Sequence, residues 1–377
     1  MASHSRGKEM NREEKAREAR KYAMNGVSPV YRTATGIFAG VSFVSILSCF
    51  LIFGYYHQKA GESVKEEEAV EAISASTDIQ LFSKEEVDKL VLEASGTAAT
   101  VSEQKLLDSI KSRLLDGEGT LAVFRDMYPD NIVMLDGGQY YFLPILDDLK
   151  KHDYRVDNVV MNEDSTISYV EDETVVSRKG IDVSKYQGNI SWEKVAQDGV
   201  EYAFIRLGIR GYSEGAIKLD ETFSANIQGA IANGMDVGVY FFTQAVSDAE
   251  ALEEAQFVIE NLAPYAVNFP VVLDVEAVGG KEGRTNNLTV AERTQYAVTF
   301  CEAIKEAGYT PMIYGNLKTF MLMLDMERLE DYEKWFAGYD PTKIYFPYDF
   351  SIWQYTDTGR VDGINGDVDL NITFGKW

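Results

Sequence analysis

The C-terminal half of this chain predicts an α/β fold, a compact TIM-like (β/α) barrel over residues 178–377. Three observations carry that prediction. Eight short runs of strand-forming residues, at 180–184, 202–207, 236–243, 270–276, 311–314, 334–337, 351–354 and 367–371, alternate with helix-forming stretches within about 200 residues. Helix-opening boxes stand between them, Ser247 with Glu250 and Thr289 with Glu292, and Gly308 closes the second helix. Acidic and aromatic residues fall at the C-terminal ends of several runs, where barrels of this class carry their active groups.

The parts that precede the barrel follow from charge and hydropathy. With 377 residues and 45 % hydrophobic content, the chain has room for a barrel-sized domain and further segments. A net charge of −24 excludes nucleic acid as a partner, because phosphate binding needs a basic surface. Residues 1–32 nevertheless form a basic tail, with eight Lys/Arg against four Glu, which leaves 28 basic and 56 acidic residues beyond it. The sign changes across residues 33–56, TATGIFAGVSFVSILSCFLIFGYY, 24 residues without a charge. As a helix this segment would span ~36 Å, enough for a hydrocarbon core of ~30 Å. It predicts an uncleaved transmembrane helix in the lipid bilayer, a cytoplasmic N-terminus and an extracellular C-terminal region. A secretory signal peptide would have a shorter apolar core and a small-x-small cleavage site. Cys49 lies in this segment and Cys301 in the barrel, so the exported part can form no internal disulfide.

Residues 57–119 predict an acidic, helical stalk. Ser83 with Glu86 resembles a capping box ahead of Val87, Leu90 and Val91, and a second stripe runs through Leu106, Leu107, Ile110, Leu114 and Leu115. Two short helices are expected, with too few heptads to fix an oligomeric state. Residues 120–177 predict a small mixed α+β domain or spacer of short strands: LAVF, NIVML, the turn Asp136-Gly137-Gly138, QYYFLPI and TISYV.

Within the barrel, the run Val271-Val272-Leu273-Asp274-Val275-Glu276 ends in two carboxylates spaced i and i+2. On a strand they project to one side with α-carbons ~6.5 Å apart. Neighbouring carboxylates resist joint ionisation, so one can hold a proton as a general acid while the other stays anionic, which is the chemistry of glycoside cleavage. A D-x-E pair alone does not define a site. Asp182 ends the first strand, Asp369 lies in the last, and the mutual repulsion of acids from three strands aimed at one mouth is a cost that points to a site. Tyr240, Tyr314 and Trp353 lie on other strands and offer platforms for sugar rings. No metal or cofactor pattern appears, since His4, His57 and His152 all lie outside the barrel.

Four segments together, Gly180-Ile181-Asp182-Val183-Ser184-Lys185-Tyr186-Gln187-Gly188, Leu273-Asp274-Val275-Glu276, Trp353-Gln354-Tyr355 and Val368-Asp369-Leu370-Asn371, resemble the motif blocks of family 25 glycoside hydrolases, in family order. The resemblance covers residues 179–377. It implies a distorted β/α barrel and a muramidase that hydrolyses the β-1,4 bond between N-acetylmuramic acid and N-acetylglucosamine in peptidoglycan. It further implies Glu276 as general acid/base and Asp274 as its partner, with Asp182 and Asp369 completing an acidic cluster and Tyr186 on the first block. Where many members have Tyr-His-Phe, this chain has Tyr240-Phe241-Phe242, whose middle residue is expected to face away from the site.

The combined expectation is a membrane-anchored, extracellular peptidoglycan hydrolase for local wall remodelling. Its route, retaining, inverting or substrate-assisted, stays open because spacing along the chain does not give the separation of the carboxyl groups. The alternative is a tethered wall-binding or assembly protein without turnover, which would have no need of two mutually repelling acids.

Overall fold

The computed structural model describes residues 84–279, 283–341, 343–375 and 377; the basic tail and the expected transmembrane segment at 33–56 lie outside the described residues. No described helix is long and apolar enough to cross a membrane. The described chain falls into two units, one ending at Pro129 and one spanning Asp130–Trp377.

In the first unit, one continuous helix, α1 (Lys84–Leu115), replaces the two short helices expected. A second, α2 (Thr120–Met127), replaces the expected strand at LAVF. Four apolar residues cannot distinguish a period of 2 from one of 3.6. In the structure Arg113 pairs with Glu118 in the following turn at 2.5 Å and with Asp126 on α2 at 2.6 Å.

The second unit opens with a hairpin, β1 (Asn131–Asp136) against β2 (Gln139–Pro144). Gly137 and Gly138 make its two-residue turn with φ of 56° and 78°, a conformation that glycine adopts without a steric penalty. A three-stranded sheet follows, β3 (Val159–Met161), β4 (Ile167–Glu171) and β5 (Thr174–Val175).

The barrel then begins. Its strands are β6 (Lys179–Val183), β7 (Tyr202–Arg210), β9 (Asp236–Phe242), β10 (Val271–Asp274), β11 (Pro311–Asn316), β12 (Glu333–Ala337), β13 (Ile352–Gly359) and β14 (Val368–Thr373), while β8 (Ile217–Leu219) is a short addition on β7. All eight expected runs are strands. The order β6-β14-β13-β12-β11-β10-β9-β7, with β6 also pairing β7, closes the sheet into a barrel.

Two features depart from a regular (β/α) barrel. First, β14 runs antiparallel to both neighbours, β13 and β6. Second, the helices are confined to one side of the barrel: α3 (Trp192–Gln197), α4 (Phe223–Ala232), α5 (Asp248–Leu262) and α6 (Val290–Glu306) follow β6, β7, β9 and β10. Short π and 3-10 turns at Thr319–Met323 and Met326–Leu329 follow β11, and the described residues between β12 and β13 contain no helix.

Residues 131–154 cover that uncovered connection. The backbone N–H of Val133 donates to the Tyr345 hydroxyl at 2.7 Å, and that of Leu146 donates to the Tyr348 hydroxyl at 3.0 Å. The Tyr154 hydroxyl donates to Phe350 O at 2.7 Å, and its ring stacks on Phe374 with centroids 3.8 Å apart. Lys150 pairs with Asp349. Within the stretch expected as a small α+β domain or spacer, residues 131–154 pack on the barrel wall, and Ile132, Met134, Leu149, Ile167 and Tyr169 join the barrel's outer core.

Strand alternation separates two cores. Tyr202, Phe204, Val272, Met312, Tyr314, Trp335 and Ile352 fill the barrel interior. Their neighbours Ala203, Ile205, Val271, Leu273, Ile313, Phe336 and Trp353 face outward into the layer of helices and cover.

Candidate active site

The interior parity carries the polar residues to one mouth. On β10, Val272 faces inward, and so do Asp274 and, two residues on, Glu276 just past the strand end. On β6, the same parity brings Asp182 inward. Because β14 is antiparallel, its first turn lies at the mouth where the parallel strands end, and Asp369 stands directly opposite Asp182 in the strand pairing. A parallel eighth strand would have put Asp369 at the far end of the barrel.

Asp182 is almost fully enclosed. Its Oδ2 accepts from Gln354 Nε2 at 2.9 Å and Asn371 Nδ2 at 2.8 Å, and the Asp369 carboxyl donates to it as well. Burial raises the Asp182 pKa, and these three donors oppose the rise. Burial and the charge of Asp182 push Asp369 up to about 9, so this carboxyl is the neutral member of the pair.

Asp274 is 7 % exposed, and its Oδ1 is buried without a hydrogen-bond partner. Burial first, then the charges of Glu276 and Asp182, hold its pKa well above the usual carboxylate range. Glu276 is raised as well, by burial and then by Asp182. Burial outweighs the charge of its neighbour in tuning Glu276. The pair therefore holds its protons to higher pH than free carboxyls do, and Glu276 is the more exposed of the two.

The aromatic residues divide. Tyr240 and Tyr314 face the interior, where Trp335 meets both edge-on with centroids 6.5 and 4.7 Å away. Phe241 points outward into the other core, as expected. Tyr186 stands on the capped turn Lys185–Gln187 and is 78 % exposed, its ring 5.1 Å from the Arg206 guanidinium. Trp353 does not join them. It is 1 % exposed, donates from Nε1 to Gly338 O at 2.8 Å and stacks on Phe374, so it is an outer-core residue and no sugar platform.

Its neighbour Gln354 is the inward residue. The Gln354 carbonyl accepts from the hydroxyls of Tyr314 at 2.8 Å and Tyr339 at 2.9 Å while its amide holds Asp182. Trp335 donates to Asn371 Oδ1 at 2.8 Å and so fixes the second amide on Asp182. Arg206, inward on β7, is held by Asp220 at 2.7 Å. Parity from Tyr202 and Phe204 could have found Arg206, and parity along β13 could have exchanged Trp353 for Gln354. Among the described residues, no group of three or more His, Cys, Asp or Glu side chains is arranged to hold a metal ion.

The barrel is similar in sequence to known proteins. The model of the glycosyl hydrolases family 25 matches residues 181–364. The uncharacterised protein YegX of Escherichia coli K12 is 32 % identical over 202 residues, 51 % of this chain and 68 % of YegX. The autolytic lysozyme of Clostridium acetobutylicum is 25 % identical over 193 residues, 51 % of this chain and 55 % of that protein. Among solved structures, the modular autolysin LytC of Streptococcus pneumoniae, in complex with a synthetic peptidoglycan ligand, aligns over 64 % of this chain and 57 % of its own at 23 % identity and a TM-score of 0.48. The chain thus spans little more than half the length of the last two.

Proposed function

Because the chain belongs to the glycosyl hydrolases of family 25, and so is a glycosidase of the lysozyme type, we propose that it cleaves the β-1,4 bond between N-acetylmuramic acid and N-acetylglucosamine in peptidoglycan, held outside the cell by residues 33–56. The carrying observation is buried Asp274 and partly exposed Glu276 beside Asp182 and Asp369: four carboxyl groups at the ends of three strands, all with raised pKa. A site that only bound glycan would have no use for this much enclosed acidity.

In the proposed mechanism Glu276 delivers the pair's proton to the leaving sugar oxygen and then acts as base toward water. As positive charge develops at the anomeric carbon, Asp274 becomes the better anion and stabilises it, either directly or through the substrate's N-acetyl group. Burial first, and then the charge of Asp182, which Gln354 and Asn371 hold in place, raise the Glu276 pKa and favour its acid form. Exposed Tyr186 and half-buried Tyr240 offer ring faces to the glycan, while Tyr314 holds Gln354 through its hydroxyl.

The tether is supported by the uncharged 24-residue segment and its basic flank. Anchoring supplies local concentration to an acidic domain that anionic wall polymers would otherwise repel, which favours local remodelling over diffusive lysis. The bond specificity is tested by digesting purified peptidoglycan with the full chain and reducing the products with borohydride. Muramitol at the new ends is expected; glucosaminitol would replace the muramidase reading with a glucosaminidase.

A further inference from the structure

The segment that follows Glu276 is fastened to the barrel rim by side chains that the acid chemistry does not use. Thr285 Oγ1 donates to Gln244 Oε1 at 3.0 Å, and both residues are almost fully buried. Arg284 donates from Nη2 to Glu250 Oε1 at 2.8 Å and from its backbone N–H to Tyr212 O at 3.0 Å. Gly215 makes room for the Arg284 guanidinium: a Cβ there would meet Nη1 at 2.4 Å.

Beneath these contacts lies a buried ion pair. Arg210 Nε donates to Glu254 Oε1 at 2.7 Å, and its Nη atoms donate to Glu253 Oε2 and Gly215 O, each at 2.7 Å, and to Glu250 O at 3.0 Å. Glu254 is fully enclosed and accepts from Thr243 Oγ1 at 2.6 Å. Thr243 in turn donates its backbone N–H to the carbonyl of Asp274 at 3.1 Å. Thr243, Thr285, Arg293 and Glu276 line one cavity. The ends of β7, β9 and β10, the start of α5 and the 283–289 segment are thereby tied together beside the cavity that Glu276 lines.

A buried charged network is expensive to desolvate, and apolar residues would pack the same space at no such cost, so its directional bonds point to a requirement for fixed geometry. We propose that Gln244 and Thr285, seated by the Arg210–Glu254 pair, are positioning residues that hold Glu276 in its proton-donating placement. This rests on the reading of Glu276 as the acid. Small displacements of a reacting group cost about 10- to 100-fold in rate, whereas glycan binding along the mouth would be untouched.

The test uses the full chain with peptidoglycan and compares wild type, Thr285→Val and Thr285→Ser for kcat and KM, with thermal unfolding alongside. Valine keeps the side-chain shape and loses the donor; serine keeps the donor. The expected result is a fall in kcat of about 10-fold or more in Thr285→Val at unchanged KM, with serine restoring most of it. Wild-type kcat in Thr285→Val, equal losses in both variants, or a change confined to KM would overturn the inference. A wild-type chain that releases no reducing ends overturns both this and the functional reading, whereas an active wild type beside an unaffected Thr285→Val overturns this inference alone.

Discussion

At the scale of single residues, the mouth is paid for in stability. Asp369 titrates at about 9 in the folded protein against about 3.9 for a free side chain, so between those pH values the native state binds more protons than the unfolded chain. Stability is therefore full below the unfolded value and falls as pH rises through this window. Asp369→Asn keeps a donor toward Asp182 and removes the titration. It should raise Tm at pH 8, by about 2–4 °C per kcal/mol relieved, and flatten the fall of Tm between pH 5 and 9, while turnover drops. A Tm that is lower at pH 8, or an unchanged slope, would contradict the assignment of the neutral carboxyl. Trp353 makes the complementary case. Trp353→Phe should cost about 1–3 kcal/mol in unfolding free energy with KM unchanged, because the ring packs on Phe374 away from the mouth; a raised KM at wild-type stability would return it to the site. Asp274 and Glu276 were legible because an alternating strand run ends in them. Gln354 was not, because its side chain becomes informative only once the inward parity of β13 is known.

At the scale of elements, the runs of β-branched and aromatic residues marked all eight barrel strands, and the two capping boxes marked α5 and α6. In both, the Ser247 or Thr289 hydroxyl accepts the N–H three residues on. Direction was harder to read. A parallel crossover needs a dozen or more residues, and only residues 360–367 separate β13 from β14, so the antiparallel return was encoded in a loop length rather than in any motif. LAVF was too short to declare its period. The cover formed by residues 131–154 was illegible for a different reason: it is held by hydroxyl-to-backbone bonds across about 200 positions of sequence, which no local pattern reports. That cover is expected to unfold with the barrel. Tyr348→Phe removes the acceptor for the half-buried Leu146 N–H and should lower the urea-unfolding free energy of the whole unit by about 1–2 kcal/mol in a single transition. A separate early transition for residues 130–177, with the barrel midpoint unmoved, would show the cover to be an independent domain.

At the scale of the whole molecule, the proposed tether would set where the chemistry happens. A basic tail, an uncharged span and a strongly acidic remainder place the barrel outside the membrane in our reading. Protease added to intact cells should remove the barrel and leave a membrane-held N-terminal fragment; complete protection would reverse the orientation. The central claim concerns Glu276, and its most direct measurement is reducing-end release from purified peptidoglycan by the full chain and by Glu276→Gln, with circular dichroism to verify the fold of both. The amide cannot deliver the proton, so a loss of about 10²- to 10⁴-fold is expected with the fold intact. Release at the wild-type rate from folded Glu276→Gln would contradict the assignment of this carboxyl as the acid.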